Sequence, residues 1–373
     1  MDLNVAAMQY PIDAVGGQQS PISRTPSVAL REIREAIRTA DLGGPAPHHV
    51  ALELLVHLAL LGFGLVGFFA SQSGWVRAGS LAIAMLGHLG VTTNSHTWTH
   101  RSGSSRRWVN DALAFFTGNF ISGISFTYWH DKHNRRHHAF PNVQGADPDH
   151  DFAPFVALTD VDLEGRGRIA RLYYRWQWIV IPLMVAVMLP RMKAEGFVHS
   201  VRCLGRAETR GIAVADVLCQ LASLAAWWGI PIWIGGFENA LLINLVREIS
   251  LSYALFAIFA PEHIPQPAIH MGDEVRSDFM LRQTATALNF QVGRLAAFFL
   301  SGLQYQLEHH LLMDVPHVHY AKLQPIVEKV CRRHGYPYRV ISWSQGLRET
   351  FAVLRSPKAV VALPEIRSAV EGV

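Results

Sequence analysis

Four long apolar runs organise the chain, at residues 50–70, 75–93, 212–235 and 239–260, and the stretches between and after them are polar and rich in histidine and arginine. Val50 to Ala70 is 21 residues, and at 1.5 Å per residue such a helix matches the thickness of a bilayer's hydrocarbon core. The short SQSG turn at 71–74 leads straight into the second run, so the two are expected to form a helical hairpin with both ends on one side of a membrane. The third and fourth runs are expected to form a second hairpin, turning around Gly236 to Glu238. Ahead of them, Thr25 to Thr39 places Val28, Leu30, Ile33 and Ile37 on one stripe among arginines and glutamates, the pattern of an amphipathic helix. Gly and Pro in GGPAP then end it.

Two further apolar stretches are less regular. Trp108 to Trp129 is interrupted by Asn and Gly, and Trp176 to Leu189 contains Pro182 and is only 14 residues long. Both are expected as interfacial or half-buried helices, because a full span at either place would put later polar segments on opposite sides of the bilayer.

Composition sharpens this picture. Half of the residues are hydrophobic, 17% are charged, and the mean hydropathy is positive, the balance of an integral membrane protein. The connection from Asn94 to Gly211 carries Arg101, Arg106, Arg107, Lys132, Arg135, Arg136, Arg166, Arg168 and Arg171, whereas the hairpin turns carry essentially no basic residue. By the positive-inside rule that connection and both termini are cytoplasmic. Met1 to Ser23 has no apolar core of a secretory signal and is expected to be a loose tail. The expectation is therefore an all-α integral membrane protein with four transmembrane helices in two hairpins beneath a cytoplasmic helical cap. Its organisation would be a flexible tail at 1–24, one domain over 25–345, and a second tail at 346–373. Arg247 and Glu248 fall inside the fourth run, where lipid exposure is costly, so they are expected to face the bundle interior. Basic residues lie in loops near the spans and form no stripe, which excludes nucleic acid as a partner.

The chemistry lies in nineteen histidines set against three scattered cysteines, Cys203, Cys219 and Cys331. No CxxC unit exists, so free thiols and no structural zinc are expected. Three groups stand out: His96 and His100 in NSHTWTHRS, His133, His137 and His138 in KHNRRHHAFPN, and His309 and His310 in QYQLEHH. On an α-helix, positions i and i+4 share a face, so His96 with His100 and His133 with His137 can each offer two imidazoles to one locus. The adjacent residues His138 and His310 point about 100° away and can address a second metal beside the first. Imidazole suits iron, zinc, copper and nickel; the apolar setting and the absence of thiolates favour redox iron. No Glu has a His three residues later, which excludes the paired Glu-x-x-His di-iron bundle.

The boxes HxxxH at His96–His100, HxxxHH at His133–His138 and QxxHH at Gln306–His310, in this order between apolar hairpins, resemble the membrane fatty acid desaturase family. The Gln that opens the third box resembles the front-end and acyl-lipid members. Further similar stretches are WHDKHNRRHHAFPN with GADPD, YRWQWIVIP, FAPEH, EHHLLMDVP and RRHGYPY. The resemblance implies an enzyme that uses O₂ and two electrons to remove two hydrogens from an acyl chain at a centre of two iron ions. It implies His96, His100, His133, His137, His138, His263, His309 and His310 as iron ligands, with Gln306 where relatives place another histidine and Glu262 where relatives often show Asn. It also implies a fatty acyl substrate held on lipid, CoA or carrier protein, and an external electron donor. No HPGG motif of a fused cytochrome b5 occurs, so a separate ferredoxin or cytochrome b5 is expected. Related membrane di-iron hydroxylases and sphingolipid-modifying oxygenases use similar boxes. A haem-binding electron carrier is disfavoured, because adjacent histidines cannot reach opposite faces of one haem.

Asp131, Asp147, Asp149, Glu308 and Asp314 lie close enough to the boxes to accept imidazole N–H bonds, and Trp98, Tyr128, Trp129 and Tyr305 are placed to line an acyl path. His57, His88, His130, His150, His270, His317, His319 and His334 match no box and are expected outside the metal-binding set.

Overall fold

The computed structural model describes residues 27–371; the expected tail at 1–24 lies outside them. The chain is mostly helical, with four short strands in two parallel pairs in the cap. Helix α1 (Val28–Thr39) starts at Ser27, whose Oγ accepts from Leu30 N at 3.1 Å. Its stripe of Ala29, Ile33 and Ile37 is buried against Leu323, Val327 and Val330, so the amphipathic face belongs to the cap.

Helix α2 (Pro47–Ala70) and helix α3 (Gly74–Thr99) pack along their length. Their approach is backbone-close: a Cβ on Gly64 would lie 2.4 Å from Ala84 N, and one on Gly87 would lie 2.4 Å from Leu61 N. Small residues at such contacts let dispersion and weak polar contacts hold helices that lipid cannot drive together. The apolar positions Leu52, Leu55, Phe63 and Val66 face outward. Helix α3 runs six residues past the expected end of its span, and Val91 to Trp98 are almost all buried.

Trp108 to Trp129 forms helix α4 (Arg107–Ala114), a π-helical stretch (Phe115–Ile121) and helix α5 (Phe126–Trp129), which continues as a second π-helical stretch (His130–His137). Helix α6 (Arg168–Ala186), containing Pro182, meets helix α7 (Met188–Cys203) at a 62° bend. Helix α8 (Arg210–His263) breaks at Gly236, where φ is +82°. Asn244 Nδ2 donates to the Trp227 carbonyl at 2.8 Å, so the chain folds back on itself at that glycine, within the expected turn. Helices α2 and α8 are long and apolar enough to cross a membrane, and the bent pair α6–α7 adds a third candidate.

Arg247 and Glu248 face inward, as expected. Arg247 lies over the Trp227 ring at 4.0 Å and pairs with Glu248 at 3.1 Å, while Lys193 reaches Glu248 at 2.6 Å.

The cap follows as α9 (Asp273–Ser277), α10 (Phe279–Thr286), α11 (Arg294–Leu300), α12 (Gln306–Leu311), α13 (Tyr320–Arg333), α14 (Trp343–Arg355) and α15 (Leu363–Glu371). Strand β1 (Ala268–Ile269) pairs with β4 (Val360–Val361), and β2 (Asn289–Gln291) with β3 (Val340–Ser342). The segment from 346 onward, expected as a tail, is folded into the cap. Helix α14 buries Gly346, Thr350 and Leu354, a stripe with one large apolar side chain, which is why its periodicity does not read as a buried helix. Gln177 Nε2 donates to Leu354 O, and the half-buried Lys358 donates to Ile264 O and Gln266 O.

Candidate metal centre

Each histidine box is delivered by a helix end. His96 lies in the last turn of α3 and His100 caps it, its N–H donating to His96 O at 3.2 Å. His309 and His310 sit on α12, which Asn289 fixes by accepting from Leu307 N at 2.9 Å and donating to Glu308 at 2.7 Å. His263 ends α8.

The second box departs from the helical expectation. His138 N donates to His133 O at 3.1 Å, the i to i+5 bond of a π-turn. The wider turn brings the Nε2 atoms of His133 and His138 to 3.1 Å, while the His133 and His137 rings stack at 5.2 Å and form, with Asp149, a further close group. The result is two adjoining loci. Ring nitrogens of His96, His100, His133, His138 and His309 lie within 4.8 Å of one another, and those of His137, His263 and His310 form a second such group. His138 joins them, its ring centroid 4.5 Å from that of His310. All eight histidines named from the sequence are therefore brought together.

In the second group the outer nitrogens are held, which leaves the inner ones free to bind. His137 Nδ1 contacts Asp147 at 3.0 Å, His263 Nδ1 contacts Thr286 O at 3.0 Å, and His310 Nδ1 contacts Gln283 Oε1 at 2.8 Å. Such bonds fix the proton on Nδ1 and direct a bare Nε2 inward. In the first group the Nε2 atoms face each other, His96 to His133 at 2.7 Å, His138 to His133 at 3.1 Å, and His309 to His138 at 3.0 Å, while His138 Nδ1 has no hydrogen-bond partner. His100 Nε2 and His310 Nε2 are buried without a hydrogen-bond partner. Burial, and then the neighbouring imidazoles, hold His133, His138, His309 and His310 well below the usual histidine range, and burial pushes His100 down to about 3. Converging neutral imidazoles with orphaned inner nitrogens are the donor set that a transition metal takes.

Gln306 joins the second locus, its Nε2 standing 2.8 Å from His263 Nε2. Oxygen and nitrogen of an amide are interchangeable by a flip, so the same position offers a carbonyl oxygen. Glu262 is fully buried with both carboxylate oxygens unpartnered, and it belongs to neither group of nitrogens.

Of the carboxylates near the boxes, Asp147 reaches a ring directly, and Asp149 lies 3.8 Å from His137 Nδ1 while pairing with Lys132. Asp131 pairs with Arg135 and Asp314 with Arg34. Glu308 accepts from Asn289 and Tyr338; burial pushes it up to about 7 against the pull of those bonds. Among the aromatic candidates, Trp129 stacks on His133 at 4.4 Å, while Trp98 binds Asn94 and Tyr128 binds Glu195. His317 is buried, with Thr97 at 2.5 Å and Glu53 at 3.1 Å, and His150 is buried without a hydrogen-bond partner. Gln283 and Thr286 were not visible from sequence: they lie 27 and 23 residues from the rings they hold, in a helix with no motif.

The fold and the site define a helical, membrane-type protein built around a histidine-rich centre able to hold metal. The profile of the fatty acid desaturase family matches residues 73–342, and the chain belongs to that family: it is a fatty acid desaturase, an oxidoreductase of acyl chains. It is 27% identical over 318 residues to a delta-8 fatty acid desaturase of Euglena gracilis, covering 83% of this chain and 74% of that protein. It is 26% identical over 263 residues to a delta-5 fatty acid desaturase of Caenorhabditis elegans, covering 67% of this chain and 57% of that protein. It is 25% identical over 327 residues to human fatty acid desaturase 3, covering 87% of this chain and 71% of that protein. The family uses iron and O₂, and the histidine groups fit that requirement.

Proposed function

We propose that the two nitrogen groups hold two iron ions, one at His96, His100, His133, His138 and His309, the other at His137, His263 and His310 with Gln306 as a further ligand. The observation that carries this reading is the inward convergence of eight imidazoles whose outer nitrogens are tied to protein acceptors or packed among rings. Bound iron supplies the reduction of O₂ that drives removal of two hydrogens from adjacent CH₂ groups. Reducing O₂ to two waters takes four electrons, of which the acyl chain provides two. The other two come from a separate ferredoxin or cytochrome b5, and two protons come from solvent.

The protein's own contribution is geometric and electrostatic. Asp147, Thr286 O and Gln283 keep a proton on Nδ1 of His137, His263 and His310. Trp129 shields the His133 ring from water. Glu262 stands next to His263 in the chain, fully buried and without a hydrogen-bond partner. The substrate is a fatty acyl chain on lipid, CoA or carrier protein. The delta-5 and delta-8 names of relatives point to a new double bond counted from the carboxyl end.

In the membrane, α2 with α3 and the two halves of α8 form two hairpins, making a multi-pass protein with the iron centre and both termini on the cytoplasmic side. The catalytic domain takes in α14, β4 and α15 as well as the expected residues 25–345. The test is co-expression with each donor in a host of simple lipids, with new double bonds located by mass spectrometry. New unsaturation that requires a donor and vanishes with His137→Ala supports the reading; hydroxylated acyl chains instead of unsaturated ones would overturn it.

A further inference from the structure

We propose that Asp216, a carboxylate outside the histidine boxes, is the positioning residue of the second box, setting the direction in which His133, His137 and His138 leave their helix. This rests on those histidines being metal ligands. Asp216 lies near the start of α8 and is fully buried. No basic side chain pairs with it among the described residues; its partners are all neutral donors. Oδ1 receives Phe126 N at 3.0 Å, Asn119 Nδ2 at 2.5 Å and Gln220 Nε2 at 3.3 Å. Oδ2 receives Thr127 N at 3.0 Å, Thr127 Oγ1 at 2.5 Å, Ser125 Oγ at 2.8 Å and Ser200 Oγ at 2.8 Å.

A buried charge with no counter-ion is tolerated only when hydrogen bonds replace its hydration. These do so, and they come from four separate elements: the first π-stretch (Asn119), the start of the second-box helix (Ser125, Phe126, Thr127), α7 (Ser200) and α8 itself (Gln220). Phe126 N and Thr127 N are free N–H groups of a helix start, where negative charge is favourable. Because each goes to a different oxygen of one carboxylate, the helix is fixed in rotation as well as in position. His133 lies seven residues on, roughly 10 Å at 1.5 Å per residue, so a small rotation at the anchor displaces its ring against the other box. Helix α8 also carries His263. The two lie on either side of the break at Gly236, Asp216 in the first half of α8 and His263 at the end of the second.

The experiment uses the full chain in detergent, stripped of metal and titrated with Co²⁺, whose visible spectrum reports ligand geometry. Asp216→Asn puts an NH₂ group against donors that need an acceptor; it is expected to weaken Co²⁺ binding about tenfold and to change the spectrum. Asp162→Asn is the control: Asp162 is a buried carboxylate that accepts from Leu158 N and Thr159 N away from the boxes. It should lower the melting temperature yet leave Co²⁺ affinity and spectrum as in wild type. If Asp216→Asn does not fold, Thr127→Val, which keeps the carboxylate and removes one donor, should weaken Co²⁺ binding about threefold, a partial loss of the same kind. A loss of melting temperature in the Asp216 or Thr127 variant with wild-type Co²⁺ affinity and spectrum would overturn the assignment. A wild-type chain that binds no Co²⁺ would instead overturn the metal reading beneath it.

Discussion

Replacing Asp147 by Asn should loosen the second locus while sparing the first. The two oxygens of this fully buried carboxylate hold His137 Nδ1 at 3.0 and 3.1 Å, and they also accept from Asn142 N and Asp149 N, each at 2.8 Å. Asn142 N goes to one oxygen and Asp149 N to the other, so whichever way an amide lies, its NH₂ meets a backbone N–H. One charge-assisted bond is lost and one buried donor is left unpaired, a cost of about 2–3 kcal/mol in fold stability. His137 also loses its anionic partner, which makes it a poorer ligand; outer partners of this kind are worth about 10–100-fold in metal affinity. The assay is iron release against a graded chelator together with thermal unfolding of the metal-free protein. About half of the iron should leave at a chelator concentration at least roughly tenfold below that needed for wild type. Release of both irons at the wild-type concentration would refute the reasoning that Asp147 orients His137.

Three further outcomes are expected. Gly64→Ala would force a Cβ to 2.4 Å from Ala84 N, whereas Gly62 has open space around it; melting in detergent should show a loss of about 1–3 kcal/mol for the first and almost none for Gly62→Ala. Burial pushes Lys358 down to about 7, so from there to its ordinary value the unfolded chain binds the extra proton and stability rises with pH, by about 1.4 kcal/mol per unit. Lys358→Met should lessen the rise of the melting temperature across that window, and an unchanged slope would count against a lowered Lys358. Gln306→Leu removes the amide beside His263 and should lower iron content, while Gln306→His should retain it, as metal analysis of the purified variants would show.

The converging histidines were legible because spacing on a helix end is a short-range property of sequence. Their partition between two loci was not, since it depends on a π-turn that changes which residues share a face; nothing in HNRRHH distinguishes that turn from an α-turn. Asp147 could be picked out by its nearness to the second box, but Gln283 and Thr286 reach their rings only through the folding of α10 across the site. The apolar runs marked α2, α3 and both halves of α8, because a long continuous run of apolar residues is a local property of sequence. Helix α14 escaped notice because it is buried by Gly346 and Thr350 as much as by Leu354. His317 and Asp216 escaped because each joins a polar network between elements distant in sequence.

The central claim is tested most directly by counting metal in the purified chain and recording the Mössbauer spectrum of its iron. Two irons per chain in nitrogen-rich surroundings are expected, with one site lost in His263→Ala and retained in a His150→Ala control. A single iron, or zinc at both loci in protein that still desaturates acyl chains, would contradict the account.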